Sequence, residues 1–300
     1  MLFMRSINFR VPMDPTTDSH VLRHEAYATD EHLSIRNQIH EQYSIPVVDF
    51  RQWVLERIQW RGDEIVLDMG CGPGLYANTL AKVVPGATYY GFDLSDGMLA
   101  KHPRPNQIIQ ADAQVLPYAD QTFDVVMAHH MLYHLPDIER ALQEIRRVLK
   151  PEGILMAATN SSENMPQFRD LFKRAIMVLT PPGKQAVVPK PASLGFSLES
   201  GTRYLGRNFF AVVRYDLPSA LVFDQAEPVL AYLESGRSLN EPQLPSGITW
   251  DAVMMIVREQ VRNQLNYVGE LVVNKLTGVL VASDRGGFIR EYVNHQDETG

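Results

Sequence analysis

The sequence predicts an α/β fold whose sheet is built from repeated strand–turn–helix units. Three observations carry this. The apolar run Val66-Leu67-Asp68-Met69 leads straight into Gly70-Cys71-Gly72-Pro73-Gly74, a strand ending in a turn with glycines at alternate positions. Residues 75–84 then place Leu75, Leu80, Ala81 and Val84 at helical spacing. Downstream, Thr88-Tyr89-Tyr90-Gly91-Phe92-Asp93 and Phe123-Asp124-Val125-Val126-Met127 read as further strands, the latter buried on both faces by its apolar run.

Glycines at such a turn let a ligand lie against the backbone, because no Cβ intervenes and positive φ costs little. A nicotinamide dinucleotide asks for a third glycine where Leu75 stands, and a phosphate loop asks for a Gly-Lys-Ser/Thr ending that is absent. Asp68, ahead of the first glycine, would repel a pyrophosphate and suits a cationic amino group. The segment resembles motif I of the class I S-adenosyl-L-methionine (SAM)-dependent methyltransferases, whose ligand carries an ammonium and a sulfonium. That resemblance assigns Asp68, Gly70, Cys71, Gly72 and Gly74 to the cofactor loop.

Asp93 closes the second strand. Ligands of open α/β sheets lie beyond the C-terminal strand ends, which places Asp93 to accept both ribose hydroxyls; the alternative is a surface carboxylate capping the helix near Ser95. In the third unit, Ile108-Ile109-Gln110-Ala111-Asp112-Ala113, the resemblance sets Asp112 against the exocyclic amine of adenine and the Ala113 N–H against its ring. Leu94 and Met98 are the apolar faces around that ring, or ordinary core. His129-His130-Met131-Leu132-Tyr133-His134-Leu135-Pro136-Asp137 resembles the family's signature after the fourth strand, which floors the active site. By that resemblance His129 meets the cofactor, while Tyr133 and His134 touch or deprotonate the methyl acceptor. An imidazole titrating near neutrality suits His134 to general-base work; the competing reading is that it holds its loop by a backbone hydrogen bond. No metal is expected, since no carboxylate or cysteine stands at ligand spacing among these histidines. An amphipathic helix over residues 138–149, then Leu149-Lys150-Pro151-Glu152-Gly153 and a fifth strand at 154–159, matches motif III. The motifs span roughly residues 60–160 and resemble the group that includes ubiquinone/menaquinone C-methyltransferase-like enzymes.

The resemblance implies a three-layer α/β/α Rossmann-like sheet of seven strands, mostly parallel with an antiparallel last strand, plus a helical lid and an inserted helical cap. Residues 1–20 read as a tail, 21–60 as the lid, 61–160 as the SAM-binding core, 161–283 as the remaining strands with the cap, and 284–300 as a second tail. The lid carries a helix at 29–43, capped by Asp30, and another from Pro46 to residue 59. Tyr27, Arg36 and Tyr43 are its candidates to line the pocket, Arg36 by pairing with a ligand carboxylate. Past Asn160 the pattern gives a helix at 165–179, an irregular loop at 180–191, a helix from Phe196, and a sixth strand at 210–215. Cap helices follow near 225–234 and 250–265, then a last strand at 278–282 with 270–274 as its companion.

Three hundred residues with 45% apolar content allow an ample core. A net charge of −7 disfavours a nucleic-acid backbone or an anionic membrane as partner. No apolar run is long enough to span a bilayer, and Arg5, Asn8 and Arg10 interrupt any signal-peptide core, so cytoplasm is the expected compartment. Cys71, the single cysteine, excludes an intramolecular disulfide framework. The implied reaction moves the SAM methyl group to O, N or C of a small secondary-metabolite or quinone-like acceptor by in-line displacement, releasing S-adenosyl-L-homocysteine (SAH). A tRNA or protein methyltransferase, and a SAM-binding regulator without turnover, stand beside it.

Overall fold

The computed structural model describes residues 14–285; the remainder of the two expected tails lies outside the described residues. Strands form where the apolar runs are: β1 (Ser44–Ile45), β2 (Ile65–Met69), β3 (Thr88–Asp93), β4 (Ile108–Gln110), β5 (Phe123–Ala128), β6 (Leu149–Asn160), β7 (Ala211–Phe223) and β8 (Leu271–Ser283). They make one sheet in the order β1-β7-β8-β6-β5-β2-β3-β4. Pairings from β4 through β6 are parallel, and β8 runs antiparallel between β6 and β7. Seven of these strands are those expected; the eighth, β1, is a two-residue lid segment pairing Ser44 with Leu221 and Ile45 with Ala220.

Helices cover both faces. In chain order they are α1 (Ser19–Val21), α2 (Glu31–Tyr43), α3 (Phe50–Leu55), α4 (Leu75–Val83), α5 (Asp96–Leu99), α6 (Ile138–Val148), α7 (Pro166–Leu179), α8 (Leu198–Asn208), α9 (Ala226–Glu234), α10 (Arg237–Asn240) and α11 (Trp250–Val268). Strand alternation sorts the core: Leu67, Met69, Val126 and Ala128 pack with α6 and α8, while Val66, Val125 and Met127 pack with α3 and α4. The amphipathic α6 shows the logic, burying Ala141, Leu142, Ile145 and Val148 and capping its start with Asp137, whose side chain accepts from the Arg140 N–H. Burying such an aliphatic side chain contributes about 1.5–3 kcal/mol. The second lid helix begins later than expected, at Phe50, because Asp49 accepts from the backbone N–H groups of Arg51 and Gln52 and the preceding residues pair with β7.

The long strands decide where the cap sits. β8 pairs with β6 only from Thr277 to Ser283, whereas its first half continues against β7 as far as Leu271 opposite Phe223. Because β8 is antiparallel to β6, this two-stranded extension projects past Asn160, beyond the C-terminal strand ends. A separate apolar core forms on it, with Phe168 and Leu171 of α7, Val229 of α9, Trp250 and Val257 of α11, and Ile39 of α2 closing on Leu221, Phe223, Leu271 and Val273. Helix α2 of the N-terminal segment and helices α7, α9 and α11 thereby share one core beyond the C-terminal ends of the parallel strands.

Candidate active site

At that edge lies a cavity of about 830 Å³ lined by the glycine turn, the end of β3, the lid and the cap, a size at the upper end for a small-molecule site. Gly70, Gly72 and Gly74 adopt φ of +65°, +52° and +81°, so the turn demands glycine at each. A Cβ on Gly70 would stand 2.9 Å from Met131 Cβ, and one on Gly74 2.8 Å from the His102 ring. Gly72 differs, since its nearest neighbour would be only the flexible Met98 Cε at 3.2 Å.

Asp93 anchors this turn to the sheet. Its Oδ2 accepts from the Gly72 N–H at 2.9 Å and its Oδ1 from the Ser95 N–H at 2.8 Å. Each carboxylate oxygen keeps a lone pair for a ligand hydroxyl. Burial raises the Asp93 pKa, against the opposing pull of those backbone donors. Leu94, Met98, Asp112, Ala113 and Cys71 also line the cavity. Burial pushes the Cys71 thiol strongly up, which leaves it un-ionised.

Two further residues on the lining carry buried polar atoms without partners of their own. His129 Nδ1 accepts from the Ala158 N–H at 3.2 Å, so its proton sits on Nε2. Among the described residues neither that Nε2–H nor the neighbouring Tyr76 hydroxyl has a hydrogen bond, and the two rings lie 4.1 Å apart. Burial lowers the His129 pKa to about 3, keeping it neutral. Buried donors left unpaired are costly, and both residues line the cavity.

The N-terminal segment meets the other side of the cavity at His134. Its Nδ1 bonds the Thr16 carbonyl oxygen at 2.8 Å and its Nε2 the Tyr27 hydroxyl at 3.0 Å. A carbonyl only accepts, so Nδ1 carries the proton and Nε2 accepts from Tyr27. Burial pulls His134 down to about 4 despite the opposing Thr16 bond. The same strap is held by Ser95 Oγ donating to the Tyr27 carbonyl at 2.7 Å, by Lys101 with Asp30 at 2.6 Å, and by Gly97 seated against the Ala28 carbonyl. Tyr133 and Arg36 also line the cavity, and Arg36 donates to the Ser235 carbonyl at 3.0 Å.

Three expected site residues are turned elsewhere, and all three are corrections. Gly74 is absent from the lining, and a Cβ on it would face Pro103 and the His102 ring instead of the cavity. Tyr43 is absent from the lining and packs on Phe223 in the cap core, ring centroids 4.9 Å apart. Asp68 shares the Val66 face of β2, is 2% exposed, lies off the cavity lining and accepts from the Tyr89 hydroxyl at 2.9 Å. Burial raises its pKa from 3.8 to about 7, against the lowering effect of Tyr89. Between those two values the folded state holds a proton that the unfolded state has lost, so stability falls as pH rises through that window. Asp68→Asn should therefore raise the melting temperature more at pH 8 than at pH 5; equal shifts at both pH values contradict the burial argument.

The cavity also contains residues that motif reading passed over: His40, His130, Asn160, Ser219, Tyr232, Lys275 and Thr277. A lone lysine inside the apolar run Leu271-Val272-Val273-Asn274-Lys275-Leu276 was the available signal. Among the described residues no group of three or more His, Cys, Asp or Glu is arranged to hold a metal ion, and no helix is long and apolar enough to cross a membrane.

Residues 67–157 match the family model described as a methyltransferase domain. A demethylmenaquinone methyltransferase from Corynebacterium efficiens is 34% identical over 152 residues, covering 50% of this chain and 65% of the relative. A malonyl-[acyl-carrier protein] O-methyltransferase from Legionella pneumophila is 26% identical over 162 residues, covering 48% of this chain and 57% of the relative. The chain thus spans less than two thirds of the length of these curated relatives. Among solved structures, the YcgJ protein of Bacillus subtilis superposes with a TM-score of 0.51 at 18% identity, over 80% of this chain and all of that one. Haemonchus contortus phosphoethanolamine N-methyltransferase 2, solved with SAH, gives a TM-score of 0.51 at 17% identity, over 89% of this chain and 59% of that one. These likenesses bear on the fold, which is the mostly parallel, Rossmann-like class I methyltransferase sheet.

Proposed function

We propose, from the class I methyltransferase domain that this chain carries, that the protein transfers a methyl group from SAM to a small-molecule acceptor and releases SAH. The observation that supports this is Asp93, which lines the cavity and is fixed at the end of β3 by the Gly72 and Ser95 N–H groups. SAM supplies an electrophilic methyl group on a sulfonium. Asp93 takes the ribose hydroxyls, Leu94 and Met98 flank the adenine, and Asp112 and Ala113 read its edge. Tyr76 and His129 offer their unused donors to the amino-acid carboxylate. The glycine turn gives backbone contact, which Asp68, buried under α4, does not supply.

The rest of the work is positioning and water exclusion, which together are worth about 7–11 kcal/mol when reacting groups are well held. The strap across Thr16, Tyr27 and His134 closes the cavity. An imidazole titrating near 4 is a weak proton acceptor at neutral pH, and its Nε2 is already occupied by Tyr27. His134 accordingly acts as a positioning residue for the lid, and Tyr133 and Tyr27 present the aromatic wall to the acceptor. The apolar cavity suits a ring-bearing acceptor of the sort that the name of the corynebacterial relative implies for that protein.

Calorimetric titration tests the reading. SAM and SAH should bind one per chain in the micromolar range while NAD does not; binding of NAD in their place returns the glycine turn to the dinucleotide class. For His134, the wild-type rate should show no inflection between about pH 5.5 and 7.5, since the folded imidazole is neutral throughout. His134→Ala should weaken SAH binding by loosening the lid, and His134→Gln should restore part of it. An inflection near pH 6.5 that vanishes in the variants makes His134 a base instead.

A further inference from the structure

We infer that the acceptor is an organic acid, whose carboxylate or equally acidic hydroxyl pairs with Lys275 on the cap side of the cavity. The inference rests on the proposed function, because it names the substrate class of that same cavity. Lys275 lies on the extension of β8 that projects beyond Asn160, and its ammonium donates to Ser44 Oγ at 2.9 Å. Among the described residues no carboxylate stands within ion-pair distance of Lys275 or of Arg36.

Other basic groups surround it. The positive charge of Lys275 helps depress both His40 and His130, after burial, to about 3 and about 4, and Arg36 acts on His40 in the same sense. These two imidazoles are therefore neutral donors or acceptors at neutral pH, and the fixed charges on this wall are Lys275 and Arg36. The acids on the lining are engaged elsewhere: Asp93 on the glycine turn, Asp112 with Gln114, Asp49 capping α3, and Glu41 paired with Arg51 at 3.1 Å.

A half-buried ammonium without a counter-ion is held at a cost in desolvation. Burial alone brings Lys275 down to about 8, so it still carries charge at neutral pH. An anion seated beside it recovers that cost, and a neutral group of the same shape does not. Tyr232, Met165 and Leu217, which line the same cavity, fit an apolar body attached to the acid, and Val47, also on the lining, is 85% exposed.

The test compares acids with their amides. Benzoate, 4-hydroxybenzoate and 4-butylbenzoate are titrated against the full chain, with and without SAH, beside benzamide, 4-hydroxybenzamide and 4-butylbenzamide. At least one acid should bind saturably and at least tenfold more tightly than its amide. Lys275→Met should abolish that preference, and Lys275→Arg should keep most of it. SAH affinity, measured on the same samples, should stay within about twofold in both variants. Equal affinity for acid and amide, no binding by any acid, or a preference that survives Lys275→Met overturns the inference. Failure of SAH to bind the wild type instead refutes the cofactor reading, whatever the acids do.

Discussion

Replacing Asp93 with alanine should raise the dissociation constant for SAH at least hundredfold. Two hydrogen bonds from ribose hydroxyls to a carboxylate contribute about 1.5–3 kcal/mol each, and 1.4 kcal/mol is a factor of ten in affinity. The substitution also strands the Gly72 and Ser95 N–H groups that Asp93 now satisfies, so the glycine turn keeps only the Cys71 N–H bond to the Phe92 carbonyl as a tether to β3. That second effect lowers the melting temperature without bound ligand by a few degrees, and Asp93→Asn separates the two. Asn retains one acceptor oxygen for the turn but gives up the charge and one hydroxyl partner, so affinity should fall between wild type and alanine. The check is calorimetry on each variant, with circular dichroism to verify folding. Unchanged affinity in a folded Asp93→Ala protein removes the ribose assignment.

Gly72→Val should eliminate detectable SAH binding while the chain still folds. At φ +52° a β-branched residue is strained by roughly 1–3 kcal/mol. The Cβ would touch only Met98 Cε at 3.2 Å, a side chain able to give way, so the added bulk enters the cavity and not the core. Gly74→Val is the contrasting control. There the Cβ meets the Pro103 and His102 rings, and loss of the native fold is expected. A Gly72→Val protein that binds SAH normally contradicts close approach of the cofactor to this backbone.

How much of this was legible in the sequence follows from what is local. The turn at residues 70–74, the acid ending β3 and the helix between Asp137 and Leu149 are each specified by neighbours in the chain, and all three form where the sequence puts them. Asp68 is instructive because the sign of its orientation was also local. Strand alternation puts it on the Val66 face, beneath α4, while a reading based on proximity to the glycines put it at the ligand. Tyr43 fell to a tertiary effect, since Phe223, which receives it, lies at the far end of β7. Pro46 suggested a helix start, but the pairing of Ser44 and Ile45 with β7 holds the segment extended. The basic wall was invisible for the same reason: His40, His130 and Lys275 come from α2, the loop after β5 and β8. The extension of β7 and β8 past the end of β6 carries Lys275, α2 packs on that extension, and the His130 N–H bonds the Ala158 carbonyl of β6, which brings the three to one cavity.

A crystal structure of the protein with SAH tests the central claim most directly. The account predicts the adenosine between Leu94 and Met98, both ribose hydroxyls on the Asp93 carboxylate, and the amino-acid end along Gly70 to Gly74 toward Tyr76 and His129. Density for SAH at any other site, or an Asp93 carboxylate that contacts no part of the ligand, would contradict it.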